Sequence, residues 1–247
     1  MRTLLREVGR DGTDLLLPVE CAGCGAWDVA VCARCRELIS ATPVRCDADA
    51  PLLTVPGDAG PLLAAWSLAD YAGPVRGIVL AWKRTGRPAV ARAVLDRARL
   101  AAARWAEDPG LLLDGDGAVL VVPAPSGRRR RLRGLLVVAD LADAVAEGLA
   151  SSAVVAAGRP VVSVDLLRRR GGARHQAGLG VRARSRNRGT DAAVRARPGP
   201  EDVVVLVDDV LTTGATLASC ARSLVTSGAR VAGALVVAAT PPPGRRS

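Results

Sequence analysis

"VVVLVDDVLTTGATLASCARSL", residues 203–224, is the stretch on which the reading of the whole chain turns. Its first five residues, 203–207, are an unbroken and mostly β-branched apolar run, the signature of a strand buried on both faces in a parallel sheet covered by helices. Beyond "DDVLTTGAT", Leu217, Cys220, Ala221, Leu224 and Val225 recur at the spacing of an apolar helical stripe, which predicts a helix over 214–227. A strand that passes through so short a loop into a helix brings free backbone N–H groups, the positive end of the helix dipole and the Thr212, Thr213 and Thr216 hydroxyls toward one point. That is a site for an anion, phosphate above all. Gly214 lets the backbone come close to it. No lysine follows this glycine and no GxGxxG is present, which excludes the phosphate loop of nucleotide triphosphatases and the dinucleotide fingerprint. Asp208 and Asp209 stand where the strand is expected to end. Two carboxylates there could accept hydrogen bonds from a sugar diol or hold a magnesium ion, and their mutual repulsion argues against a role as simple loop caps.

Working outward, strand-like and helical segments alternate. A strand-like piece begins near residue 64, and a turn at Gly73 and Pro74 leads into a helix with Val75, Ile78, Val79 and Trp82 on one side. A second helix spans Pro88 to Ala106, and "GAVLVVPAPSGRRRRLRG" is a short strand opening into a basic loop at Pro123 and Pro125. A helix over 135–150, a strand over 160–169, an Arg- and Gly-rich stretch, the strand at 203–207, the helix at 214–227 and a strand over 231–238 complete the chain. This alternation indicates an α/β fold with a mostly parallel sheet and helices on both faces. Ligands bind such sheets at the carboxyl ends of strands, which singles out Pro123–Ser126, Arg168–Arg170 and Asp208–Thr216.

Cys21, Cys24, Cys32 and Cys35 sit in "CAGCGAWDVAVCARC". Two CxxC pairs this close can turn four thiolates toward one tetrahedral zinc ion, and four sulfurs leave no open position, so the expected role is structural. Gly25 suits the turn behind the second ligand. The alternatives are disulfides and redox chemistry, which a reducing compartment and the tandem pattern disfavour. Cys46 and Cys220 read as ordinary small residues. Residues 47–62, rich in Pro, Gly and Asp, read as a linker or irregular connection, so the cysteine module is taken as 1–50 and the larger domain as 51–247.

Of 247 residues, 49% are apolar, ample for a core, but with no Phe and one Tyr that core must be filled by Leu, Val and Ala. The net charge of +10 arises from 34 basic residues, of which Lys83 is the sole lysine. Such a surface suits nucleic acid, phosphorylated substrates, or solubility alone. Lys83 either meets a phosphate that guanidinium would not fit, or is a remnant of compositional drift. The N-terminus interleaves charges with leucines and does not read as a secretory signal, and 135–158 carries Asp140, Asp143 and Glu147, against a membrane span. The chain is therefore read as cytoplasmic.

"VVLVDDVLTTGAT" resembles the phosphoribosyl-pyrophosphate (PRPP) motif of type I phosphoribosyltransferases over its full length. With the tandem CxxC, "YAGPVRGIVLAWKRTGR", "VPAPSGRRRRLRG" and the spacing of Gln176, Gly178, Leu179, Arg184 and Asn187, the chain is similar to the ComF family of zinc-ribbon phosphoribosyltransferase-like proteins. The resemblance implies that Asp208 and Asp209 hold the ribose hydroxyls and that Thr212, Thr213, Gly214, Ala215 and Thr216 hold the 5′-phosphate, with Val210 and Leu211 among the substrate-binding positions. Pyrophosphate is expected at Ala124 to Arg128 and along Arg168 to Arg174, with Lys83 as a further phosphate ligand and magnesium accompanying PRPP. Gly171 and Gly172 suit a mobile lid, and His175 is either a proton donor in that lid or an exposed loop residue. The activity implied is transfer of phosphoribose to an acceptor with release of pyrophosphate. A non-catalytic role in competence and DNA uptake is the alternative, through single-stranded DNA and protein partners of the uptake machinery. Two departures bear on acceptor or partner specificity: Leu135, Leu136 and Val137 replace the family's aromatic-Asn-Gln string after Arg133-Gly134, and no aromatic follows Asn187.

Overall fold

The computed structural model describes residues 19–54, 60–85, 87–125, 137–155, 158–169, 192–242 and 244. Its elements are α1 (Ala33–Glu37), β1 (Val44–Arg45), β2 (Ala65–Ser67), α2 (Gly73–Thr85), α3 (Pro88–Trp105), β3 (Val119–Pro123), α4 (Val137–Ala150), β4 (Val161–Ser163), β5 (Leu167–Arg169), β6 (Ala192–Val194), β7 (Val203–Leu211), α5 (Ala215–Thr226) and β8 (Arg230–Ala239). Six strands form one sheet in the order β1-β2-β8-β7-β3-β4, parallel throughout except for the antiparallel edge strand β1. Strands β5 and β6 form a separate antiparallel ribbon. Among the described residues no helix is long and apolar enough to cross a membrane.

The central strand β7 is fully buried from Val203 to Val207, as its composition requires. It does not stop there. The ladder to β8 continues through Asp208↔Val236, Val210↔Ala238 and Leu211↔Ala239, so both aspartates lie within the strand, not in a loop after it. The expected single strand over 160–169 is two: Val161–Ser163 pairs with β3, and the chain then leaves the sheet so that Leu167–Arg169 can pair with β6. On α5, Val225 is exposed, and Ala218 and Ser219 are buried in its place. The ribbon causes this, because the Ser219 hydroxyl accepts the Ala192 N–H at 2.9 Å and the helix turns that side inward.

The two faces of the sheet pack differently. Helices α2, α3 and α4 cover one face around Trp66, Trp82 and Trp105, with the Trp66 and Trp105 rings 5.3 Å apart and edge to face. Burying three indoles contributes on the order of 10 kcal/mol gross, before the entropy of ordering them. Cys21, Cys35 and Ile39 belong to this same layer. The cysteine loop presses onto α2 closely enough that a Cβ on Gly77 would collide with the Ala22 carbonyl oxygen. The other face is covered by α5, the ribbon and residues 46–53, with Cys46, Ala50, Leu53, Leu217 and Cys220 among its buried side chains.

Within the stretch read as a linker or irregular connection, Asp47, Ala50 and Leu53 are buried, while most of the other described residues are exposed. Asp47 is buried, accepts the Ala65 N–H at 3.2 Å and is paired with Arg45, whose guanidinium lies 4.7 Å from the Trp66 ring centre.

Candidate functional site

The turn from β7 into α5 stands at the carboxyl edge of the sheet. Gly214 caps α5 at φ 81°, a left-handed conformation that costs a side chain about 1 kcal/mol or more. A second constraint acts at the same residue: a Cβ there would lie 2.6 Å from Leu53 Cγ. The close approach that makes this glycine necessary is thus to the buried Leu53 side chain, and the neighbouring Leu52 N–H donates to the Thr213 carbonyl at 3.0 Å. Sequence reading missed this contact, since nothing local in "APLLTV" announces its partner.

The turn borders a half-open cavity of about 190 Å³ lined by Asp208, Thr212, Thr213, Gly214, Ala215 and Thr216, with Val210, Leu211 and Leu217 completing it. Thr212 and Thr213 are exposed at its mouth. The first-turn N–H groups of α5 have no helical acceptor, that of Ala215 donating at 3.4 Å to the Thr213 hydroxyl, and this end of the helix favours an anion. The dimensions suit a phosphate monoester.

Neighbouring residues of a strand point to opposite faces, so the two aspartates part company. Asp208 lines the cavity, and its Oδ1 accepts the N–H of Asp209 at 2.8 Å. Its charge, with that of Arg169, also reaches Cys220 on α5, where burial above all and then Asp208 push the thiol up to about 12. Asp209 faces the indole-rich layer, 6% exposed, where the Lys83 ammonium pairs with its Oδ1 at 2.8 Å. The sole lysine of the chain thus compensates one of the two consecutive carboxylates of β7. Opposed in this way, the two carboxylates do not converge on one metal ion.

Of the remaining expected positions, Ala124 is buried at the end of β3, its N–H donating to the Val207 carbonyl at 2.8 Å. Arg168 is exposed on the β5–β6 ribbon. Arg128, Arg174 and His175 lie outside the described residues, as do Gly171, Gly172 and the Gln176 to Asn187 pattern. Arg168 lines a basic groove between the ribbon and α5, of about 760 Å³, together with Arg195, Arg197, Arg222, Ser223 and Thr226.

The four sulfurs of Cys21, Cys24, Cys32 and Cys35 all lie within 4.8 Å of one another, with Cys24 and Cys32 3.7 Å apart. Zinc–sulfur bonds of about 2.3 Å at tetrahedral angles place sulfurs about 3.8 Å apart, so the donor set and its spacing fit a zinc ion. Burial alone would raise the Cys21 thiol, but the N–H groups of Cys24, Cys32 and Gly23 outweigh it and bring it down to about 6. Burial, then the neighbouring sulfurs, push Cys35 well above the usual thiol range. Bound zinc would hold all four as thiolates.

Comparison with known proteins gives no match, neither to a protein-family model nor to a curated protein.

Proposed function

We propose that the chain binds PRPP at the β7–α5 turn and is a ComF-like phosphoribosyltransferase, transferring phosphoribose to an acceptor with release of pyrophosphate. One observation carries the reading. The turn combines a half-open, phosphate-sized cavity, a left-handed glycine at the helix start and the carboxylate of Asp208, within β7, on the cavity wall. In this reading the Thr212 and Thr213 hydroxyls and the first N–H groups of α5 hold the 5′-phosphate, and Asp208 accepts a ribose hydroxyl. Asp209 acts from the other face, where Lys83 keeps its charge from repelling the phosphates. Magnesium arrives with the pyrophosphate as part of the substrate. The positive charge that develops at the anomeric carbon as pyrophosphate departs is met by the Asp208 carboxylate. Calorimetric titration of the full chain with PRPP and magnesium tests the proposal: saturable heat that Thr213→Val diminishes supports it, and the absence of heat refutes it.

The basic groove favours a second reading, in which single-stranded DNA lies along Arg168, Arg195, Arg197 and Arg222. Binding of that kind weakens steeply with salt, the affinity falling as about the 0.7 power of salt concentration per phosphate neutralised. A labelled oligonucleotide whose affinity is unchanged between low and physiological salt would exclude it.

A further inference from the structure

The β7–α5 turn does not stand alone, because residues 50–53 pack against it. Their place is fixed from both sides. Upstream, the Cys46 N–H donates to the Ala65 carbonyl at 2.9 Å and the Ala65 N–H donates to the Asp47 carboxylate at 3.2 Å, which ties the segment to β2. Downstream, Leu53 donates its N–H to the Ala50 carbonyl at 2.9 Å and accepts the Leu62 N–H at 2.7 Å. The Leu53 side chain is fully buried in the same layer as Leu217 and Ala218 of α5.

Two contacts from this segment meet at one peptide unit, Thr213–Gly214. The Leu52 N–H holds the Thr213 carbonyl, and Leu53 Cγ occupies the space beside the Gly214 Cα. In a planar trans peptide the C=O and the N–H point in opposite directions. With its carbonyl turned to Leu52, the unit therefore turns the Gly214 N–H away from residues 50–53. Thr213, Gly214 and Ala215 line the cavity and residues 50–53 do not, so the turn separates the segment from the cavity. Gly214 is buried, and among the described residues its N–H has no acceptor. A buried donor of this kind requires a partner, and a phosphate oxygen in the cavity supplies one.

This orientation is not intrinsic to the turn. Reversing the peptide changes ψ of Thr213 and φ of Gly214 together, and glycine tolerates φ of either sign, so two orientations are open to it. One of them presents the N–H to the cavity. We infer that Leu52 and Leu53 are positioning residues of the phosphate site: the main-chain N–H of the first and the side chain of the second hold the Thr213–Gly214 peptide with its N–H toward the bound phosphate. The inference rests on the reading of the β7–α5 turn as a phosphate site and names the element that preorganises it. Without that element the competent orientation is populated only in part, and the apparent affinity falls by the same fraction.

The test reads binding and orientation separately on the full chain. Calorimetry with inorganic phosphate, and with PRPP and magnesium, is expected to show Leu53→Ala binding each about tenfold more weakly, the equivalent of one N–H to a charged acceptor. Leu53→Met should bind as the parent does. Leu52→Pro deletes the donor and alters an exposed side chain, and should lose a similar factor. Melting curves recorded alongside ensure that each titration is made on folded protein. In a Thr85→Ser background, carbonyl-13C threonine with 15N glycine labels a single peptide, Thr213–Gly214. Its amide proton is expected to move downfield as phosphate saturates the parent and to move far less in Leu53→Ala, which lowered stability alone does not produce. Equal affinities in the parent and Leu53→Ala, or an amide unmoved by bound phosphate, overturn the inference, while saturable PRPP binding still supports the PRPP reading. Phosphate binding with the shift, but no tighter binding of PRPP, refutes the PRPP reading and leaves the positioning role standing. Binding of neither ligand refutes both.

Discussion

The two faces of one sheet solve the packing problem in opposite ways. On the α2–α3–α4 face three fully buried indoles fill the volume, and the cysteine loop is clamped against it. The α5 face has no aromatic side chain among its buried residues and relies on Ala, Cys, Leu and Val. This is the face on which the β7–α5 turn is seated, where a methyl group on Gly214 would strike the Leu53 side chain. Indoles therefore fill one side, and the other, built of smaller side chains, seats the turn with its cavity. β7 lies between them, and its consecutive aspartates divide accordingly: Asp209 to the bulky face and Lys83, Asp208 to the cavity.

Truncation should expose this asymmetry most strongly. Trp82→Ala is expected to cost about 4 kcal/mol and lower the melting temperature by roughly 10 °C, measured by thermal denaturation. Ala218→Gly on the opposite face should cost only about 1 kcal/mol. A smaller loss for Trp82→Ala than for Ala218→Gly would break the comparison. Next in size is Lys83→Met, which leaves the Asp209 carboxylate buried without its ammonium and should cost about 3 kcal/mol, with Lys83→Met/Asp209→Leu recovering much of it. If the single variant melts as the parent does, the pair contributes nothing to the fold. Gly214→Ala follows at about 2 kcal/mol, from left-handed strain plus the Leu53 contact. Combined with Leu53→Ala its effect should be clearly less than additive in denaturant titration, since the second change removes what the new methyl strikes.

What could be read in advance follows the same division. The valine run, the apolar side of α2 and the cysteine quartet are local patterns, legible because spacing alone defines them. The oddity of a single lysine was legible too, but not its partner, because Lys83 and Asp209 meet only when α2 packs across β7. Extension of β7 through Asp208 to Leu211 depends on β8 continuing beside it, which no property of "DDVL" encodes. Residues 47–62 have the composition of a linker, yet Asp47 is buried because the Ala65 N–H and Arg45 provide for its charge. Val225 fits the helical stripe and is nonetheless exposed, since the ribbon that redirects α5 comes from a distant part of the chain.

The smallest expected effect concerns thiol chemistry and leaves the fold untouched. Cys46 and Cys220 are buried on the small-residue face, and burial pushes each thiol up to about 12. Near pH 8 only about one molecule in ten thousand would then carry either thiolate, and neither should react with iodoacetamide in the native state. The four cysteines of the module differ in kind: Cys24 is exposed, and amide donors already favour the Cys21 thiolate. A bound zinc ion would occupy their lone pairs, so they too should resist alkylation until a chelator removes it. Mass spectrometry should therefore find modification confined to Cys21, Cys24, Cys32 and Cys35, and dependent on chelation. Early modification of Cys220 would instead mean that α5 opens readily from the sheet, and that the close packing on which the turn depends is not held.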